Sequence, residues 1–219
     1  MRTSLNTFHR NNIHRTLLLS CALTVLSGTT YADDNIKLFV DTGVSATISG
    51  ILSNQSIAIA TGYTKQGAGT LVLTPSSANT YTGLTFVSGG ILELGNNNAI
   101  LSSLQLNAGT TLRAGGAITL TEDNNIILSG SATFDAQSYA FIFNGLINAS
   151  IYDLTLKGAG PITFTSGNAL ATLHVGDGVS TTTLILSGPN SIKSAPILAK
   201  TGTTLRFGAG TYSMTIASF

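Results

Sequence analysis

Large apolar residues alternate with small or polar ones along most of the chain. Thr70–Thr74 (TLVLT), Gly90–Leu94 (GILEL), Ser103–Leu106 (SLQL), Ala117–Leu120 (AITL), Ala132–Asp135 (ATFD), Pro161–Thr165 (PITFT) and Thr183–Ser187 (TLILS) all follow this period of two. Successive side chains on a strand point to opposite faces, so Leu71 and Leu73, or Leu92 and Leu94, share one face while Thr and Glu take the other. Helical spacing of apolar residues, free of Gly and of β-branched runs, is sustained in no window longer than ten residues. Gly, Asn and Ser cluster between the alternating segments. The pattern predicts an all-β chain of short strands and tight turns.

The strands recur at a regular interval. Leu71, Leu92, Leu112, Phe134, Leu154 and Leu173 are separated by 21, 20, 22, 20 and 19 residues, and Ile162, Leu184 and Leu205 by 22 and 21. A period near twenty predicts a solenoid, in which no coil buries its apolar face until a neighbour stacks on it. A longer repeat is superimposed. Lys65-Gln66-Gly67-Ala68-Gly69 before TLVLT returns as Leu156-Lys157-Gly158-Ala159-Gly160 before PITFT. Gly109-Thr110-Thr111-Leu112-Arg113 returns unchanged at Gly202-Thr203-Thr204-Leu205-Arg206, and Ile48-Ser49-Gly50-Ile51-Leu52 has a weaker echo in Phe143-Asn144-Gly145-Leu146-Ile147. The offsets are 91, 93 and 95 residues, which predicts a duplicated block of roughly four coils.

The N-terminus breaks this pattern. Residues 1–15 carry Arg2, Arg10 and Arg15 with no acid, Thr16–Leu26 is apolar, and Thr30-Tyr31-Ala32 precedes Asp33-Asp34. Basic, apolar and small-residue regions in that order predict a secretory signal peptide over 1–32, cleaved after Ala32; its apolar core of 11 residues is too short to span a bilayer. Acylation at Cys21 is the alternative, disfavoured because the apolar run continues beyond the cysteine. Without the leader the chain has no cysteine, seven basic and nine acidic residues, a net charge of −2. Only 9% of the whole chain is charged, against about a quarter in ordinary domains. No basic cluster tracks phosphates, which argues against a nucleic-acid partner.

Residues 65–95, KQGAGTLVLTPSSANTYTGLTFVSGGILELG, closely resemble the autotransporter-associated β-strand repeat. The resemblance rests on Lys65, Gly67, Gly69, Thr70, Leu71, Leu73, Asn79, Thr80, Tyr81, Gly83, Thr85, Val87, Gly90, Leu92 and Leu94; Pro75 and Ile91 depart from the commonest residues. A degenerate echo spans 154–192. The resemblance implies a passenger of bacterial type V secretion, folded as a single-stranded right-handed parallel β-helix and exported to the periplasm, cell surface or extracellular space. In that fold Gly67 and Gly69 are expected to turn at positive φ, Asn79 to sit in a left-handed conformation or a side-chain ladder, and Tyr81 to cover a corner with its hydroxyl in water. The expected organisation is a leader at 1–32, a cap and first coils at 33–64, the repeat at 65–95 and further coils at 96–219. The outer-membrane translocator barrel that the resemblance also implies is not encoded in these residues, so a truncated passenger is expected.

Candidate chemistry is sparse. His174 is the single histidine after the leader and is expected to face outward; zinc sites and Cys–His pairs need more ligands than the chain supplies. Glu122-Asp123-Asn124-Asn125 is the one acidic, oxygen-rich cluster, read as a solvated turn rather than a calcium loop. Asp177, between Gly176 and Gly178, reads as a turn residue. Arg113 and Arg206 occupy equivalent positions of the long repeat, on outward faces. No catalytic, cofactor-binding or metal-binding residue is assigned. The expected function is a structural or adhesive β-helix contacting a host-surface glycan or protein, with self-association through an open C-terminal coil; the alternatives are a non-functional fragment and a secreted β-helix polysaccharide lyase or hydrolase.

Overall fold

The computed structural model describes residues 16–19, 35–54, 60–188, 191–193, 195–209 and 215–218. These form a parallel β-solenoid of about seven turns. The leader expected at 1–32 therefore lies outside the described residues except for Thr16–Leu19, a strand that pairs in parallel with Lys37–Val40.

Three walls surround the core. The first runs through Asn35–Val40, Gly62–Gln66, Thr85–Val87, Leu104–Leu106 and Ile126–Leu128 into the start of Ile147–Lys157 and of Asn168–Val175, ending at Ile192–Lys193. The second contains Ser45–Ile48, Thr70–Leu73, Ile91–Leu94, Thr111–Ala114 and Ala132–Asp135, then the later halves of the same two long strands, Ile197–Ala199 and Ile216–Ser218. The third begins only at Ile118–Leu120 and continues with Phe141–Phe143, Pro161–Phe164, Thr183–Leu186 and Thr204–Phe207. All seven alternating segments of the sequence are strands, and each has its apolar residues turned inward.

Stacking builds the core. Leu71, Leu92, Leu112 and Phe134 are aligned on consecutive coils and each is at most 2% exposed. The next member is Leu156 and not the expected Leu154, which aligns instead with Ala132 and Leu173. Residues 150–152 explain the displaced rung, because the register of the long strand shifts between Ala149 and Asp153 and leaves Ile151 exposed at the corner. The second ladder is found as expected, Ile162 over Leu184 over Leu205. At the centre, the Phe134 and Phe143 rings stack with centroids 4.7 Å apart, and Phe164 meets Phe143 edge-on at 5.5 Å.

The long repeat does not return to the wall it left. Gly109–Arg113 forms the corner between first and second walls and opens Thr111–Ala114; its identical copy forms the corner between second and third walls and opens Thr204–Phe207. Lys65–Gly69 and its copy ending at Gly160 move by the same step, from the strand start at Thr70 to that at Pro161. An offset near 92 residues is thus four coils plus one wall, where a duplication of whole coils was expected. Local geometry is what recurs. Gly67, Gly158, Gly109 and Gly202 all have positive φ, and Thr110 and Thr203 each donate a backbone N–H to the residue three positions earlier.

Stacking energy makes one prediction. Leu112→Ala should destabilise the fold by about 2–5 kcal/mol, whereas Thr111→Ala, on the outer side of the same strand, should change it by less than about 0.5 kcal/mol. Denaturant titrations of both variants read the difference.

Candidate functional site

The corner after Lys65 carries most of the repeat's signature residues. Lys65 lies in an inward row, aligned with Leu38 on one side and Val87 on the other, and is 1% exposed. Its Nζ donates to three carbonyls: Gly67 at 2.6 Å, Gly89 at 2.9 Å and Gln66 at 3.2 Å. Two successive corners are therefore tied by one ammonium, whose three protons match three acceptors. Burial pushes its pKa down to about 8. Gly90 completes the cradle, because a Cβ there would come within 2.5 Å of the Gly67 oxygen and 2.6 Å of Nζ. Gly67 has the positive φ expected of it; Gly69 does not, and is glycine because any side chain would collide with the backbone oxygens of Asp41 and Val44.

On the third wall, where the early coils have no ladder strands, Asn79 and Tyr81 take over. Asn79 is fully buried, accepts from the Leu52 N–H at 2.7 Å and donates to the Ala99 carbonyl at 2.7 Å, so it joins three coils. It has no positive φ and no asparagine neighbour in a ladder, contrary to expectation. Asn168 repeats the arrangement, accepting from Ile147 N–H and donating to the Ser191 carbonyl. Tyr81 is 2% exposed and its hydroxyl bonds Thr85 Oγ1 at 2.5 Å. That hydroxyl is dry, not wet, because Tyr63 packs edge-on against the ring at 4.8 Å. Burial raises the pKa of both phenols, that of Tyr63 to about 12.

The outer side of the second wall gathers much of the chain's scarce charge. Glu93, Arg113, Asp135 and Lys157 are aligned on four consecutive coils with alternating sign. Arg113 reaches Glu93 at 3.6 Å and Asp135 at 3.4 Å, and Lys157 reaches Asp135 at 3.5 Å. The intervals of 20, 22 and 22 residues match the coil period, a signal available in the sequence. Arg206 lies exposed on the third wall, so the two arginines are not equivalent as expected. Past Lys157 an open groove of about 240 Å³ is lined by Ser131, Asp153, Thr155, His174, Gly176 and Lys200. His174 faces outward, its Nε2 3.7 Å from Asp153 Oδ2, and Ser131 Oγ accepts from the Asp153 N–H at 3.2 Å.

The remaining candidates are turns. Glu122 and Asp123 are exposed. The Asn124 oxygen accepts from Thr121 and the Asn125 oxygen from Leu146 N–H, so neither is a spare cation ligand. Asp177 Oδ1 accepts from the N–H groups of Ser180 and Val179 at 2.7 and 2.8 Å, which lowers its pKa. Among the described residues no group of three or more His, Cys, Asp or Glu is placed to hold a metal.

Residues 64–94, the span from the Lys65 corner through Leu94, match the family model of the passenger-associated-transport-repeat. The chain carries this passenger repeat. It is also 30% identical to the adhesin BmaC autotransporter of Brucella suis biovar 1 (strain 1330) over 217 aligned positions, which take in 80% of this chain. The chain spans 6% of that relative's length. No solved structure matches it. The passenger repeat accounts for one pair of adjoining coils, and its signature residues are the ones that close the corner and plug the third wall.

The buried amine predicts a pH signature. Unfolded, Lys65 keeps its proton up to its ordinary value of 10.5, while folded it releases it at about 8. The unfolded state therefore binds more protons in that window, and stability rises with pH, by at most about 1.4 kcal/mol per pH unit. Above pH 10 Tyr63 acts in reverse, since its proton is held to about 12 only in the folded state. Thermal melts from pH 7 to 10 should show the rise in the parent chain and lose it in Lys65→Met.

Proposed function

We propose that this chain is a segment of a surface-displayed passenger whose solenoid is a rigid adhesive rod with no catalysis of its own. The observation that carries the reading is the passenger repeat built into a continuous parallel solenoid. Its recognisable residues all serve stacking, and they leave the outward positions free to vary. The similarity to a relative named as an adhesin autotransporter supports the same reading. Export through a leader ending at Ala32, and residence at the cell surface or outside the cell, belong to this proposal.

Adhesion is directly testable. Beads coated with the purified chain should adhere to epithelial monolayers several-fold more than albumin-coated beads, and equal counts would overturn the adhesive role. Self-association is part of the proposal too. Thr204–Phe207 and Ile216–Ser218 are the last described strands, and Phe207 and Ile216 are about half exposed beside their edges. Light scattering should report a mass that grows with concentration, and Phe207→Lys should reduce it; a constant monomer mass would remove this element.

A further inference from the structure

The charge ladder on the second wall has a gap. After Glu93, Arg113, Asp135 and Lys157, the next two positions of the row are Gly176 and Lys200, fixed by the hydrogen bonds Gly176 N–H to Leu156 O and Lys200 N–H to Val175 O. The order of sign is therefore minus, plus, minus, plus, nothing, plus. An anion is what the alternation calls for between the two lysines, and a glycine stands there instead. Gly176 has a positive φ of 93°, a conformation other residues rarely adopt, so the backbone itself keeps this position without a side chain.

We propose that the gap over Gly176 receives an oxyanion of an acidic glycan lying along the outer face of the second wall. Lys157 and Lys200 flank it along the row, and His174, Thr155 and Ser131 line the same groove. The carboxylates nearby are engaged elsewhere. Asp153 faces His174, and Asp177 accepts the N–H groups of Val179 and Ser180. A glycan fits better than other polyanions for two reasons. Thr111, Thr133 and Thr155 are aligned beside the charged row, giving hydroxyls on successive coils roughly 4.8 Å apart. The groove is lined by no aromatic ring on which a nucleobase would stack. The groove is open rather than enclosed, as a chain-like ligand requires.

The proposal rests on the adhesive reading, and the experiment separates the two. The full chain is titrated with oligogalacturonate, dextran sulfate and neutral dextran at low ionic strength. Oligogalacturonate, dextran sulfate or both should bind, neutral dextran should not, and binding should weaken with added salt. Whichever anion binds identifies carboxylate or sulfate as the group held. Lys200→Gln should weaken the interaction about tenfold, the size of one charge-assisted hydrogen bond, with an unchanged thermal midpoint showing that the coil is intact. Equal binding of dextran and the anionic polymers, or no effect of Lys200→Gln, would overturn the site. If the coated beads adhere to cells but Lys200→Gln binds oligogalacturonate like the parent, the slot is wrong and adhesion stands; if the anion binds through Lys200 and the beads do not adhere, adhesion is wrong and the slot stands.

Discussion

Parallel stacking of one coil directly on the next is the constraint from which the rest of this molecule follows. Each strand hydrogen-bonds to the coil before and after it, so strands of one wall lie about 4.8 Å apart. Each inward side chain then sits above a counterpart from the preceding coil. Leu71, Leu92, Leu112 and Phe134 form such a column, and the contact that buries each of them is supplied by its neighbours in the column. No coil is stable alone, because half the surface it must bury belongs to another coil. The fold is therefore sensitive at its corners, where the chain must turn within two or three residues without breaking the stack.

The repeat's polar signature makes sense as an answer to that corner problem. A turn leaves carbonyls and amides that no strand partner can reach, and buried polar groups without partners are costly. Lys65 collects three such carbonyls from two coils, and Asn79 satisfies an amide from the coil before and a carbonyl from the coil after. Asn124 and Asn168 do comparable work later in the chain without the rest of the motif. The same logic explains why identical pentapeptides occupy different corners. Gly109 and Gly202 turn the chain by the same positive φ, and that local turn serves wherever a strand must be started on a new wall.

Most of the architecture was legible in the sequence because the period of two and the period near twenty are both imposed by the stack. The column of large apolar residues could be followed from Leu71 to Phe134, where no residues are added between rungs. It failed at Leu154, since the two extra residues near Ile151 are accommodated by a bulge that periodicity alone cannot place. Lys65 and Tyr81 were visible as motif residues, but their burial was not. Polar side chains are expected in water, and only the third dimension shows that Thr85 and the carbonyls of Gln66, Gly67 and Gly89 surround them. The alternating ladder from Glu93 to Lys157 was readable in principle, since its spacing equals the coil period; what hid it is that charge is usually read along the chain and not across coils.

That ladder also shows where such a molecule has freedom to specialise. The interior is bound by stacking and the corners by hydrogen bonding, so outward positions are the ones a solenoid can change without cost to its fold. In a chain with 9% charged residues, the placement of Glu93, Arg113, Asp135, Lys157, Asp153 and Lys200 on one wall is a concentration and not a background. Partly exposed ion pairs of this kind contribute roughly 0–1 kcal/mol each, too little to explain the gathering as a stability device. Mutual pairing leaves that wall nearly neutral over four coils, and the pattern is interrupted at the one position where glycine, held at positive φ, can carry no side chain. A flat wall of paired charges that opens at a single rung has the form of a recognition surface.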